Sequence, residues 1–305
     1  MRYQLKGKVV LITGAAGGIG AATARHVYGL GADLVLTDRQ SADVQALASE
    51  FDADRVLPIA LDVTDARATR AVVDQAVQKF GRLDVALANA GIAWKEGLST
   101  VASCDEDEFE HILEVNLLGV WRTIRAALPE VMRNQGQILI TSSIYAFLNG
   151  MANAPYAASK AAVESLGRTL RTELAGTGAT ASVVYPGWTA TAIAEIAFGG
   201  DELATRLNQT ALPALLRRPV SPEQVARGIA QGIQTRRPRI VVPARWQPVF
   251  GLRGLFNPLV DRYLDGHSGI HELLRQVEAE AGRNVRRLIP RAAKNDSADH
   301  SERTK

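Results

Sequence analysis

Residues 8–20, KVVLITGAAGGIG, set a short apolar and β-branched run directly before a cluster of glycines. Lys8–Ile12 has the length and composition of a strand buried on both faces. Gly14, Gly17, Gly18 and Gly20 then let the backbone turn tightly and come close to a ligand. A helix that starts here with Ile19 and runs to about Leu30 directs free N–H groups and its positive dipole end at an anion, such as a pyrophosphate. Gly14, Gly18 and Gly20 are spaced G-x-x-x-G-x-G, not the commoner G-x-G-x-x-G. Their weight comes from lying between a strand and a helix.

Outward from this turn, Asp33–Thr37, Val56–Ala60 and Leu83–Ala88 repeat the strand pattern, with helical stretches between them. That alternation predicts an α/β fold: a Rossmann-like, doubly wound parallel sheet of about seven strands with helices on both faces. Asp38 ends the second strand, 18 residues after Gly20 (38 − 20). A carboxylate there accepts hydrogen bonds from an adenosine ribose and repels a 2′-phosphate, which favours NAD over NADP. The adjacent Arg39 could soften that preference by pairing with a phosphate.

Thr141–Lys160, TSSIYAFLNGMANAPYAASK, carries a second signal. Tyr156 and Lys160 stand four apart, on one helix face. Ser143 lies thirteen residues before the tyrosine (156 − 143). Pro155 suits the first turn of that helix. An ammonium beside a phenol favours the phenolate, so Tyr156 is expected to titrate below its ordinary range and to move protons. Ser143 would hydrogen-bond the same substrate oxygen, with Ser142 as its competitor. Tyr-x-x-x-Lys by itself is a common spacing and gains meaning only beside the glycine turn.

The composition narrows the field. A chain of 305 residues, 47% hydrophobic and 22% charged, is ordinary for a globular protein with a sizeable core. A net charge of +3, with much of the excess in the Arg-rich C-terminal third, argues against a nucleic-acid partner. Cys104 is the single cysteine, so no internal disulfide forms, and its acidic neighbours Asp105 and Glu106 disfavour a thiolate. No leader pattern and no apolar run of roughly 18 residues is read, so a cytoplasmic location is expected. The histidines do not cluster at zinc spacing, so no metal site is expected.

With TGAAGGIG, Asp38, Asn89-Ala90-Gly91, Asn116, Ser143 and YAASK in this order, the chain resembles the short-chain dehydrogenase/reductase family. It is similar to the compact single-domain branch over about residues 6–243, and lacks the TGxxGxxG spacing of the extended branch. The resemblance implies that Gly14, Gly18 and Gly20 hold the pyrophosphate, Asp38 the adenosine ribose, and that Asp62 and Val63 flank the adenine. It implies that Asn89 stabilises the sheet centre and, with Ala90 and Gly91, lies along the cofactor. Pro186, Gly187, Trp188, Thr189 and Thr191 would grip the nicotinamide carboxamide. Asn116 would hold a water linking Lys160 to solvent. Tyr156 would take the alcohol proton as hydride passes to the nicotinamide, with Lys160 lowering the phenol pKa and Ser143 stabilising charge on the substrate oxygen. Helices around Glu106–Met132 and Pro155–Leu174 would pair into a homodimer or homotetramer.

Trp94, Ile144, Tyr145, Phe147, Met151, Trp188 and the segment from Ile193 to Phe198 are expected to line the pocket. Their size and apolarity suggest a hydrophobic secondary alcohol or ketone, of cyclic, terpenoid or steroid type. Thr191 to about Arg217 reads as a helical lid. Ser221-Pro222-Glu223 starts a helix, and Ile240–Val242 supplies the last strand. Residues 1–243 are thus expected to form one catalytic domain. Residues 244–290 form a helical extension whose apolar stripe runs from Trp246 to Leu264. It packs on its own domain, on a sister subunit or over the pocket; a peripheral membrane contact is disfavoured because Pro248 and Pro258 interrupt the helix. Residues 291–305 are polar and expected to be disordered. Two other functions fit less well. One is an NADP-dependent ketoreductase acting on a β-keto thioester or polyketide. The other is a non-catalytic nucleotide-binding regulator, against which the joint presence of Ser143, Tyr156 and Lys160 counts.

Overall fold

The computed structural model describes residues 2–94, 97–191 and 201–288. Strands and helices alternate as β1 (Val9–Thr13), α1 (Gly18–Gly29), β2 (Asp33–Asp38), α2 (Ser41–Ala48), β3 (Val56–Ala60), α3 (Ala66–Phe80) and β4 (Val85–Ala88). There follow α4 (Glu106–Leu113), α5 (Val120–Arg133), β5 (Gln137–Thr141), α6 (Ala154–Glu173) and β6 (Thr180–Pro186). Beyond residues 192–200 come α7 (Glu202–Ala211), the single turn α8 (Ala214–Arg217), α9 (Pro222–Thr235) and β7 (Arg239–Val242). The chain continues through α10 (Gln247–Gly251), α11 (Arg253–Gly266) and α12 (Ser268–Leu288).

The strands form one parallel sheet in the order β3-β2-β1-β4-β5-β6-β7. Chain direction across the sheet reverses between β1 and β4, and a crevice opens at the C-terminal ends of the strands there, as the topology of such sheets dictates. Alternate residues feed two cores. Val10, Ile12, Leu34 and Leu36 pack with Val27 of α1 and Val225 and Ile229 of α9. Val9, Leu11, Val35 and Ile138 pack on the other side with Val72 of α3, Ile124 of α5 and Val163 of α6. Local chemistry marks the ends: Asp65 caps α3 through the N–H groups of Arg67 and Ala68, and Ser221 and Gln224 form a capping box on α9.

Two features depart from the sequence-based picture. The helix anticipated over Glu106–Met132 is interrupted by a π-helical turn at Glu114–Gly119, which carries Asn116. Such turns widen a helix and re-aim a side chain. In the C-terminal stripe, Trp246, Phe250 and Leu264 are buried, whereas Leu252, Leu255, Phe256, Leu259, Val260 and Tyr263 are exposed. Pro258 sits inside α11 without ending it. The extension packs back on the rest of the chain at several places. Trp246 and Phe250 join Phe147 and Tyr185 in an aromatic cluster, and Arg253 donates to the Glu164 carboxylate on α6 at 2.9 Å. Leu273 and Val277 of α12 pack with Leu203 and Leu207 of α7. Phe147, expected at the pocket, therefore belongs to this buried cluster. Among the described residues no helix is long and apolar enough to cross a membrane. The tail expected at residues 291–305 lies outside the described residues.

Candidate active site

A cleft of about 480 Å³ opens at the C-terminal edge of the sheet. At one end it is bounded by Gly14, Gly17, Gly18, Ile19, Asp38, Arg39, Asp62 and Val63. Gly14 has φ +63°, and a Cβ on it would sit 2.8 Å from the Ala90 Cα, so the turn tolerates no side chain there. Gly20 does not face the cleft. Its hypothetical Cβ would lie 2.2 Å from the Gly14 carbonyl oxygen, so this glycine lets α1 close on the turn rather than contact a ligand. Helix α1 has Gly17 at its N-cap, no side chain capping it and no acidic residue in its first turn. Its N-terminal N–H groups and dipole thus remain available to an anion, and the glycine cradle fits a dinucleotide pyrophosphate.

The carboxylate of Asp38 accepts from the Ala16 N–H at 3.0 Å and from the Arg39 N–H at 2.8 Å, which fixes it at the end of β2. Asp62 accepts from both the N–H and the hydroxyl of Thr64. The Thr64 N–H is the main reason its carboxyl lies below the usual range. Asn89 ties three strands: its amide donates to the Thr13 and Gly14 carbonyls at 3.2 Å and accepts from the Thr141 hydroxyl. It lines the cleft together with Ala90 and Gly91. Pro186, Gly187, Trp188, Thr189 and Thr191 continue the wall beyond β6. Thr191 lies across the glycine turn, where its Cγ2 would meet a Cβ on Gly18 at 2.8 Å.

Ser143, Tyr156 and Lys160 converge at the other end. Helix α6 presents the tyrosine and lysine, and the turn after β5 presents the serine. Lys160 is 3% exposed. Its ammonium donates to the Thr141 carbonyl at 3.1 Å and stands 5.4 Å from the Tyr156 ring centroid. Ser143 hydrogen-bonds the Tyr156 phenol. The Ser142 hydroxyl is committed elsewhere, donating to the Lys160 carbonyl at 2.7 Å. Asn116 is fully buried; it accepts from the Ile92 N–H and donates to the Ile92 carbonyl and the Ser159 hydroxyl. A Cβ on Gly91 would lie 3.2 Å from the Asn116 Oδ1 and 3.3 Å from the Lys160 Nζ, so a glycine lets both groups approach.

The electrostatics correct one expectation. Burial pushes the Tyr156 phenol above its ordinary value, and the bond to Ser143 only partly offsets this. Burial also lowers the Lys160 ammonium to about 8. The amine, 5.4 Å from the ring centroid, does not by itself make Tyr156 a phenolate at neutral pH.

On the substrate side, Trp94, Ile144, Tyr145 and Trp188 border the cleft. Tyr145 meets Tyr156 edge-on, with centroids 5.9 Å apart. Trp188 stacks on Trp246 at 5.6 Å. Met151 departs from the expectation: it lines a smaller neighbouring cavity of about 50 Å³, with Leu207 and Leu264. Ile193 and the rest of its segment lie outside the described residues. Residues absent from the sequence reading also border the cleft, among them Gln40, Asp43, Ile92, His111 and Asn153. None belongs to a spaced motif, although Asn153 stands three residues before Tyr156 at a helix start. Among the described residues no group of three or more His, Cys, Asp or Glu is placed to hold a metal ion.

The chain is 34% identical over 230 residues to the 3-oxoacyl-(acyl-carrier-protein) reductase FabG of Thermotoga maritima, covering 74% of this chain and 90% of that one. It is 36% identical over 202 residues to the momilactone A synthase of Oryza sativa, covering 66% and 73%. Among solved structures, a short-chain dehydrogenase/reductase from Burkholderia phymatum in complex with NAD superposes with a TM-score of 0.72 at 26% identity. That match covers 84% of this chain and 96% of the other. Residues 8–198 match the family model described as short chain dehydrogenase. With the parallel sheet, the glycine turn and the Ser-Tyr-Lys cluster at one cleft, this chain belongs to the short-chain dehydrogenase/reductase family.

Proposed function

We propose that the protein is an NAD-dependent oxidoreductase that interconverts a hydrophobic secondary alcohol and its ketone, with Tyr156 as the general acid and base. The observation that carries this is the convergence of Ser143, Tyr156 and Lys160 on the cleft that also contains the glycine turn. NAD, when bound, supplies the hydride acceptor of the oxidation. Gly14, Gly17, Gly18 and the first turn of α1 would receive its pyrophosphate, and Asp38 its ribose. Asp62 and Val63 would flank the adenine, and residues 186–191 the nicotinamide end.

Tyr156, neutral in the cofactor-free protein, is poised to donate its proton to a ketone oxygen; in the reverse direction it removes the alcohol proton. Lys160 favours the phenolate as it forms, because its buried positive charge interacts strongly across the ring. Ser143, already bonded to the phenol, would hold the substrate oxygen beside it. Asn116 positions the loop after β4 against α6 and lies next to the amine. The apolar border of Trp94, Ile144, Tyr145 and Trp188 suits a hydrophobic ring or chain.

Asp38 favours NAD over NADP, since its carboxylate faces the place of a 2′-phosphate. The exposed Arg39 beside it supports the runner-up, an NADP-dependent ketoreductase. Exposed Leu118, Trp121 and Met132 on and beside α5 support association with a second copy. The decisive experiment follows NADH absorbance over a panel of cyclic and linear secondary alcohols, with Tyr156→Phe as control. Turnover by the native protein, lost by at least about a thousandfold in the variant while NADH still binds, supports the proposal. Near-native turnover by the variant refutes it.

A further inference from the structure

Asn153 is the residue at the catalytic end that the hydride-transfer scheme leaves without a task. It stands at the N-cap of α6, where asparagine is among the preferred residues because its side chain can accept from a helix N–H. Here the side chain makes no capping bond. The residue is 3% exposed, and neither its Oδ1 nor its Nδ2 has a hydrogen-bond partner of good geometry. Burial pushes the Tyr145 phenol up in pKa and a bond to the Asn153 amide partly offsets this, so that bond leaves the other hydrogen-bonding positions of the amide open. The backbone fixes it in place: it bridges to Ser99, and its N–H donates to the Gly150 carbonyl. Asn153 borders both the main cleft and the smaller cavity beside it, as do Trp94 and Tyr145.

A buried amide whose hydrogen-bonding positions are mostly unfilled is costly, and forgoing the cap forfeits further stability. Both losses are recovered if a ligand supplies the missing partner. Asn153 precedes Tyr156 by three positions at the start of one helix, so the two side chains emerge within a few ångströms of each other. A group bound by the amide therefore lies close to the oxygen held by Tyr156. The amide carries both a donor and an acceptor, which matches a hydroxyl, or a carbonyl through its N–H.

We propose that Asn153 is a specificity-determining residue that binds a second oxygen of the substrate. The preferred substrate is then an apolar ring or chain bearing a hydroxyl or carbonyl one or two carbons from the reacting carbon. This rests on the dehydrogenase function proposed above.

The test compares cyclohexanol with cis- and trans-1,2-cyclohexanediol and with 1,3-cyclohexanediol, following NADH formation by the full-length native protein, Asn153→Leu and Asn153→Ala. The native protein should prefer at least one diol by about tenfold or more in kcat/KM. In both variants that ratio should fall to near one, with little change in melting temperature, because only the bond to the Tyr145 hydroxyl is lost. The alanine variant covers the case in which leucine overfills the site. Oxidation of cyclohexanol without preference for any diol overturns the role of Asn153 alone. So does a preference that survives both substitutions, or a marked fall in melting temperature, which would mark the amide as structural. Failure of the native protein to oxidise any of the four, while NADH still binds, overturns the dehydrogenase function for this class and the role of Asn153 with it.

Discussion

Replacing Lys160 by methionine should abolish turnover and yet make the cofactor-free protein more stable at neutral pH. Burial lowers the ammonium from 10.5 to about 8. The native fold therefore bears a penalty of roughly 3 kcal/mol for holding it charged at pH 7. Methionine has a similar length and no charge, but it surrenders the bond to the Thr141 carbonyl, which costs about 1 kcal/mol. The net gain is roughly 2 kcal/mol at pH 7. Its pH dependence identifies the cause. The native state releases the lysine proton near 8, whereas the unfolded chain keeps it to 10.5. Between those values the unfolded chain binds more protons, so native stability rises with pH. The penalty is complete below 8, and by about pH 9.5 some 2 kcal/mol of it has gone. The lead of the variant should shrink accordingly. Urea unfolding of both cofactor-free proteins at the two pH values reads this directly. A lead that is independent of pH, or a native protein more stable at pH 7, would refute a buried, destabilising ammonium.

Asp38→Asn should keep the bond to the Ala16 N–H while removing the charge, raising NADPH affinity about ten- to a hundredfold and weakening NADH, as measured by nicotinamide fluorescence. Unchanged discrimination would move cofactor selection away from this carboxylate. Gly20→Ala should destabilise the cofactor-free protein by about 1–3 kcal/mol in urea unfolding, because the new methyl meets the backbone oxygen of Gly14, which no rotamer can relieve. A neutral result would show that the turn can open at no cost. Asp84, whose side chain is 0% exposed, accepts from the Val9 N–H, Lys8 and Arg82. Burial pushes its carboxyl up, but Arg82, the Val9 N–H and Lys8 together hold it below the usual range. The resulting stability is present above about pH 4 and lost as pH falls through the folded pKa. Asp84→Asn should therefore cost about 2–3 kcal/mol at pH 7 and flatten the acid unfolding curve, as circular dichroism would follow.

Much of the fold was legible because its signals are local. β3 occupies Val56–Ala60, the same residues as the sequence pattern. The regular fourth strand begins two residues late, at Val85, although the Asp84 backbone already bonds to Val9 of β1 and Gln137 of β5. The glycine turn and the Tyr-Lys pair could be read because each depends on spacing within one element. Met151 and Phe147 could not be separated from Ile144 and Tyr145. Which of them faces the cleft depends on the path of the chain between β5 and α6, where Ala152 has φ +55°. The same limit hid the π-helical turn at Asn116, since an extra residue per turn leaves no mark on apolar periodicity. In the C-terminal stripe, apolar spacing showed that a face exists but not which part of it this chain covers.

Several departures from ordinary local rules lie at the cleft. Lys160 is a buried ammonium with one carbonyl partner. Asn153 is a helix-capping residue that does not cap. Asn116 sits on a widened turn, and α1 starts without a side-chain cap. Elsewhere, Asp65 caps α3, a capping box starts α9, and alternate strand residues sort into two cores. At a cavity, such departures surrender stability where a ligand can restore it. The same logic orders the variants: substitutions at Lys160 and Asn153 should lose function without losing stability, whereas those at Gly20 and Asp84 should lose stability first. A set of four unfolding curves would separate the two classes, and a large loss of stability at either Lys160 or Asn153 would break the pattern.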